Sequence, residues 1–135
     1  MVDSNKLLFR QVHPSWVQGE IISQQVFSIS SQTFIPTKKD EGFLSVYNSD
    51  FFTAESSYVH YTGNNLESSG VVAVDTDECA SQNLPVIDDN TPFIGHSSLD
   101  YREKGTNQRD KTAKMLKSYA IKRGWQYLPE KKQEL

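Results

Sequence analysis

Gly70-Val71-Val72-Ala73-Val74-Asp75 is an unbroken apolar run closed by a carboxylate. Its length suits a strand, and its lack of alternation predicts burial on both faces at a central place in a sheet. Thr76 reads as the N-cap of a short helix, with Asp77 and Glu78 in the positive first turn. A strand feeding a helix leaves open how the sheet is wound, and the flanking sequence decides that.

Upstream, Leu7 to Val12 reads as a strand, broken at His13-Pro14-Ser15 because Pro14 has no N–H for a ladder. Val17-Gln18-Gly19-Glu20 is turn-like. Val26 to Ile35 alternates loosely and predicts a strand pair or an extended loop. After the charged turn Lys38 to Gly42, Phe43 to Tyr47 is a strand, and Thr53 caps a helix from Ala54 to about Tyr61. Downstream, Leu84 to Ile87 is short and extended, Asp88 to Pro92 is a loop, and His96 to Tyr101 is a weaker strand. The strongest helix runs from about Asn107 to Lys122, capped by Thr106 or Asn107 and stopped by Gly124. Ala113, Leu116 and Ala120 share one arc of it, opposite Lys111, Lys114, Lys117 and Lys122. Trp125 to Leu128 returns as a last strand. The first three strands have no helices between them, which argues against a doubly wound sheet. The expected class is α+β: a mixed or mainly antiparallel sheet with about three helices on one side, the longest near the C-terminus. Residues 1–129 are expected to form one domain and 130–135 a frayed tail.

A chain of 135 residues with 36% hydrophobic and 11% aromatic side chains can build a core without a disulfide or metal. The single cysteine, Cys79, excludes an internal disulfide and multi-cysteine zinc sites, and reads as a small buried hydrophobe. The first residues lack a signal-peptide pattern, and no apolar run approaches the ~18 residues of a membrane span, so the expected setting is the cytoplasm. Residues 102–123 carry eight basic and two acidic side chains, and the remainder six basic and fifteen acidic. An acidic body with one basic helix does not suit general nucleic-acid binding, but it suits a local anionic ligand or partner.

Two constellations carry chemistry. His60-Tyr61-Thr62 and His96-Ser97-Ser98 both read His-x-Ser/Thr. The pair resembles the two-histidine phosphoesterases over those six residues. That resemblance implies one imidazole as base, the other as acid, and hydroxyls holding phosphate oxygens. The plainer reading has His60 at a helix C-terminus and His96 opening an edge strand. The second constellation is one of order: Leu8-Phe9-Arg10, Phe34-Ile35-Pro36, Val46-Tyr47 and Ala54-Glu55-Ser56. Over roughly the first 75 residues this is similar to small ADP-ribosyltransferase-like toxin domains, including the RES type. The similarity implies that Arg10 holds the phosphates of NAD and that Glu55 supports attack at the ribose. Otherwise Arg10 snorkels from the sheet and Tyr47 packs its ring with a wet tip.

Asp75, Asp77, Glu78, Asp88, Asp89 and Asp100 follow strand-like segments and could hold Mg²⁺, but helix caps and solvated loops account for all six, and no metal site is expected. The lysine face of the last helix is an ordinary solvated face or a contact for an acidic partner. No phosphate loop, Gly-x-Ser-x-Gly or His-Glu-x-x-His motif is present. The leading expectation is a small binding or accessory module acting through a protein partner, with Lys111, Lys114, Lys117 and Lys122 as its contact and no cofactor. The alternative is a compact enzyme for a nucleotide or phosphoester, using Arg10, Tyr47, Glu55, His60 and His96 in some subset, with NAD as cofactor under the ADP-ribosyltransferase-like reading alone.

Overall fold

The computed structural model describes residues 5–17 and 29–129. Five strands, β1 (Leu7–Val12), β2 (Phe43–Asn48), β3 (Gly70–Asp75), β4 (Val86–Ile87) and β5 (His96–Asp100), form one sheet in the order β3-β1-β2-β5-β4. Every neighbouring pair is antiparallel. Among the described residues there are three α-helices: α1 (Ala54–Thr62), α2 (Thr76–Ser81) and α3 (Thr106–Arg123). The class is α+β with its longest helix near the C-terminus. The turn expected at 17–20 and the start of the segment expected from Val26 lie partly outside the described residues, as does the tail at 130–135.

The helices do not gather on one side. Leu8, Val12, Leu44, Val46, Val72, Val74 and Leu99 pack with Cys79 of α2 and Ala113, Leu116 and Ala120 of α3. Phe9, Tyr47, Val71 and Ala73 point the other way and pack with Tyr58 and Tyr61 of α1. The sheet needs both covers because β1, β2 and β3 carry apolar residues at both parities.

β3 is buried as its sequence predicts, with Val71 to Val74 at 0% exposure. It is nonetheless an edge strand, not a central one. Residues after α3 shield that edge: Val71 N–H donates to Tyr127 O at 2.9 Å and Gln126 N–H to Val71 O at 2.7 Å. The strand expected at Trp125 to Leu128 is therefore a single antiparallel bridge, Val71 to Tyr127. Covering an edge in this way also blocks sheet-to-sheet association. At Gly70 a Cβ would come within 2.8 Å of the Trp125 ring, so this junction requires glycine.

The segment expected as a strand pair or extended loop is instead a 3-10 turn at Ser31–Phe34. Ile29 bridges Val17, and fully buried Phe34 accepts a hydrogen bond from the Tyr101 hydroxyl at its carbonyl. A long-range contact, not local alternation, fixes this segment.

Helix ends follow the expected chemistry with small shifts. Thr53 caps α1, its Oγ1 accepting from Ser56 N at 3.0 Å. Asp75, not Thr76, caps α2 by exchanging bonds with Glu78 at 2.8 and 2.9 Å. Arg123 at the end of α3 then forks onto Asp75 Oδ2 at 3.0 Å and Glu78 Oε1 at 2.9 Å, locking α3 to the β3–α2 junction. Gly105 precedes α3 without a side-chain cap, one residue ahead of the expected start, and Gly124 stops the helix at a φ of 87°. Cys79 is fully buried, and its thiol is pushed up to about 12, by burial first and then by Glu78 and Asp75, as suits a small core side chain.

Leu116 lies at 0% exposure in the middle of the α3 seam. Leu116→Ala should lower the unfolding free energy by about 2–5 kcal/mol in a urea titration, and a loss under about 1 kcal/mol would contradict this packing.

Candidate functional site

β1 and β2 pair at only two positions, Leu8 with Asn48 and Phe9 with Tyr47. Beyond them the strands part. Arg10 to Val12 stay on β3 and Phe43 to Val46 stay on β5. The split opens a cavity of about 450 Å³. Its walls include Arg10 and Gln11 of β1, Ser45 and Tyr47 of β2, His60 of α1, Phe93 of the loop before β5, and His96 of β5. Arg10 and Gln11 would normally face opposite sides of a sheet. Both border the cavity because no ladder closes the gap between the strands.

Arg10 spans the split. Its Nη1 donates to Ser45 O at 3.1 Å, a strand carbonyl that a continuous sheet would satisfy with a backbone N–H, and its Nε donates to Thr33 O of the Ser31–Phe34 turn at 2.7 Å. Its guanidinium carbon lies 5.4 Å from the Trp16 ring centroid. Among the described residues it forms no ion pair with a carboxylate. Burial pulls its pKa down, partly offset by Tyr61, Asp40 and Tyr101, but a guanidinium keeps its proton in a protein. A half-buried guanidinium held by carbonyls, with no carboxylate in ion-pair range among the described residues, suits an anion beside it.

Tyr47 and His60 form the aromatic wall. Tyr47 Oη lies 3.0 Å from His60 Nδ1. The Phe93 ring stacks on Tyr47 at 5.2 Å and sits 4.4 Å from the His60 ring. Burial, with a smaller contribution from Tyr61, pushes the Tyr47 phenol up to about 12, so it remains a neutral hydroxyl.

His96, 8% exposed, engages both ring nitrogens: Nδ1 lies 2.6 Å from Asp89 Oδ1 and Nε2 lies 3.1 Å from Ser45 Oγ. Ser98 Oγ donates to the other Asp89 oxygen at 2.8 Å. Burial alone would raise the Asp89 carboxyl, but the bonds from His96 and Ser98 outweigh it and hold the group below its ordinary value. Register explains the proximity: Ser45 faces Ser98 and Tyr47 faces His96, so the four side chains share one face. The loop before β5 brings Asp89 back, with Asn90 N–H donating to His96 O at 3.0 Å and Gly95 N–H to Asn90 Oδ1 at 2.9 Å.

Four of the five candidates read from the sequence, Arg10, Tyr47, His60 and His96, meet at this cavity. Glu55 does not: it is exposed on the first turn of α1 and is absent from the lining. The hydroxyls of the two His-x-Ser/Thr motifs are engaged elsewhere. Thr62 donates to Tyr58 O at 2.8 Å, while Ser97 and Ser98 donate to Asp88 and Asp89 at 2.7 and 2.8 Å. Ser45 supplies the hydroxyl at His96 instead. Strand alternation places it on the Tyr47 face, which was the available signal, whereas the Asp89–His96 contact depends on a loop path with no local signature.

The acidic residues form no cluster able to hold a metal among the described residues. Asp75 and Glu78 hold Arg123, Asp100 pairs with Arg102 at 3.0 Å, and Asp88 and Asp89 serve the β5 hydroxyls. A larger and more open hollow of about 650 Å³ beside Lys6, Thr76 and Asp88 has its lysine paired with Asp50 at 2.9 Å, and it gathers no comparable chemistry. On α3, Lys111, Lys114 and Lys122 are exposed, Lys117 is half-buried and Met115 is 41% exposed. No helix among the described residues is long and apolar enough to cross a membrane. Comparison with protein-family models, with curated proteins and with solved structures yields no significant match to this chain.

Gly95 sets the entry to β5 at a φ of +98°, where a Cβ would meet Phe52 Cε2 at 2.7 Å and Phe51 Cβ at 2.8 Å. Gly95→Ala should cost about 1–3 kcal/mol of stability and shift the His96 ring resonances; an unchanged melting temperature would contradict the tight turn.

Proposed function

We propose that this chain is a compact enzyme-type domain whose cavity between β1 and β2 takes a nucleotide or another phosphoester. The observation that carries the reading is Arg10, a guanidinium fixed by two carbonyls, without a carboxylate partner among the described residues, at the wall of an aromatic cavity. A phosphate accepts from a planar guanidinium, while the half-buried Phe93 ring at the wall offers an aromatic surface to a base. The volume lies in the range of small-molecule sites. His60 and His96 are the groups available for proton transfer. NAD belongs among the ligands to test, although Glu55 lies outside the cavity and cannot there support attack at the ribose. A reducing cytoplasm suits the free thiol of Cys79.

Calorimetry with AMP, ADP, NAD and inorganic phosphate tests the reading. At least one nucleotide should bind, and Arg10→Gln should weaken it tenfold or more while circular dichroism shows a folded protein. No binding by any of the four, or binding indifferent to Arg10, would overturn it.

A second reading concerns α3. Among the described residues, Lys111, Lys114, Lys117 and Lys122 form no ion pair, and exposed Met115 lies among them. That face is suited to an acidic protein partner. Lys111→Glu, Lys114→Glu and Lys117→Glu together should abolish low-salt retention on immobilised polyglutamate, and unchanged retention would remove α3 as the contact.

A further inference from the structure

Ser45, His96 and Asp89 stand in a hydrogen-bonded line that no sequence motif announces. Two acceptors cannot share a 2.6 Å contact without a proton between them, so His96 Nδ1 carries a hydrogen toward the ionised Asp89. In the neutral ring Nε2 is then a bare acceptor, and the Ser45 hydroxyl, 3.1 Å away, donates to it. Nucleophile, base and orienting carboxylate thus occupy the relation that activates a serine in acyl and phosphoryl transfer.

The surroundings favour chemistry over simple satisfaction of a buried ring. Burial explains why His96 takes two partners. It does not explain why one of them is an exposed hydroxyl on the rim of a ligand-sized cavity. Ser45, Pro92 and His96 also border a second hollow of about 400 Å³ next to Phe43 and Ile87. Ser45 therefore borders two spaces. Arg10 Nη1 is held on the carbonyl of Ser45 itself, which keeps a positive charge beside the nucleophile.

We propose that Ser45 is a catalytic nucleophile toward a phosphodiester, with His96 as its base and Asp89 as the residue that positions His96. This rests on the phosphoester reading of the Arg10 cavity. Ser45 Oγ forms a bond to phosphorus as its proton passes to His96 Nε2. The bond from phosphorus to the leaving oxygen breaks, and that oxygen departs as an alcohol with the proton from His96. Water, deprotonated by His96, then attacks phosphorus and releases Ser45 with its hydrogen restored.

An alkyl fluorophosphonate tests the nucleophile without needing the natural substrate. Ser45 Oγ would bond to phosphorus, fluoride would leave, and the proton would go to His96. Intact-mass spectrometry and peptide mapping of the wild-type chain should place one adduct on Ser45. His96→Gln should slow labelling at least a hundredfold and Asp89→Asn at least tenfold, each measured on protein shown to be folded by circular dichroism. Absence of an adduct on the wild-type chain, or a rate indifferent to His96, would overturn the proposal. Wild-type AMP binding separates the two readings. Binding without an adduct removes the nucleophile and leaves the phosphate site. An adduct without any nucleotide or phosphate binding keeps the nucleophile and removes the phosphoester assignment.

Discussion

The bridge made by Arg10 between β1 and β2 is the contact on which the arrangement depends. Two neighbouring strands part after two paired positions, leaving backbone carbonyls that must be satisfied. Arg10 satisfies the strand carbonyl Ser45 O and, in the Ser31–Phe34 turn, Thr33 O with one planar group. The same act fixes a cation inside the gap, draws the Ser31–Phe34 turn against the sheet, and leaves a cavity where a continuous ladder would have left none. An aliphatic side chain there could neither bond the carbonyls nor hold the charge.

The two faces of the sheet divide the labour. α2 and α3 pack a dry layer under one face, and Arg123 ties the end of α3 to the cap of α2. That layer needs only apolar volume and a few capping bonds. The opposite face carries α1 and an aromatic group of Tyr47, Phe52, His60 and Phe93, where polar tips meet apolar rings. Rigid support on one side and polar, aromatic lining on the other is what a positioned site requires.

Much of the framework could be read from the residues. The Ala113, Leu116 and Ala120 spacing located the buried seam of α3, and the apolar run at Gly70 to Asp75 located a strand buried on both faces. The place of that strand in the sheet could not be read, because its edge is covered by Trp125 to Leu128, some fifty residues away. Phe34 behaved likewise: its partner is Tyr101, so local alternation suggested extended structure where a tight turn forms. Of the site, Arg10 and Tyr47 stood out by their place in an order of segments, and His60 and His96 by the His-x-Ser/Thr pattern. Ser45 shares the Tyr47 face by strand alternation but gains its significance only from cross-strand register, and Asp89 gains its own from the return of a loop that has no local signature. Glu55 shows the converse, since a suitable residue type at a suitable point in the order faces solvent.

The central claim is that the charge of Arg10 is open to an anionic ligand in the cavity between β1 and β2. A crystal structure of the protein grown with AMP tests it most directly. The account predicts a phosphate within hydrogen-bond distance of the Arg10 guanidinium and the adenine against Tyr47 or Phe93. A fully occupied AMP bound elsewhere, or a cavity left empty at saturating AMP, would contradict it.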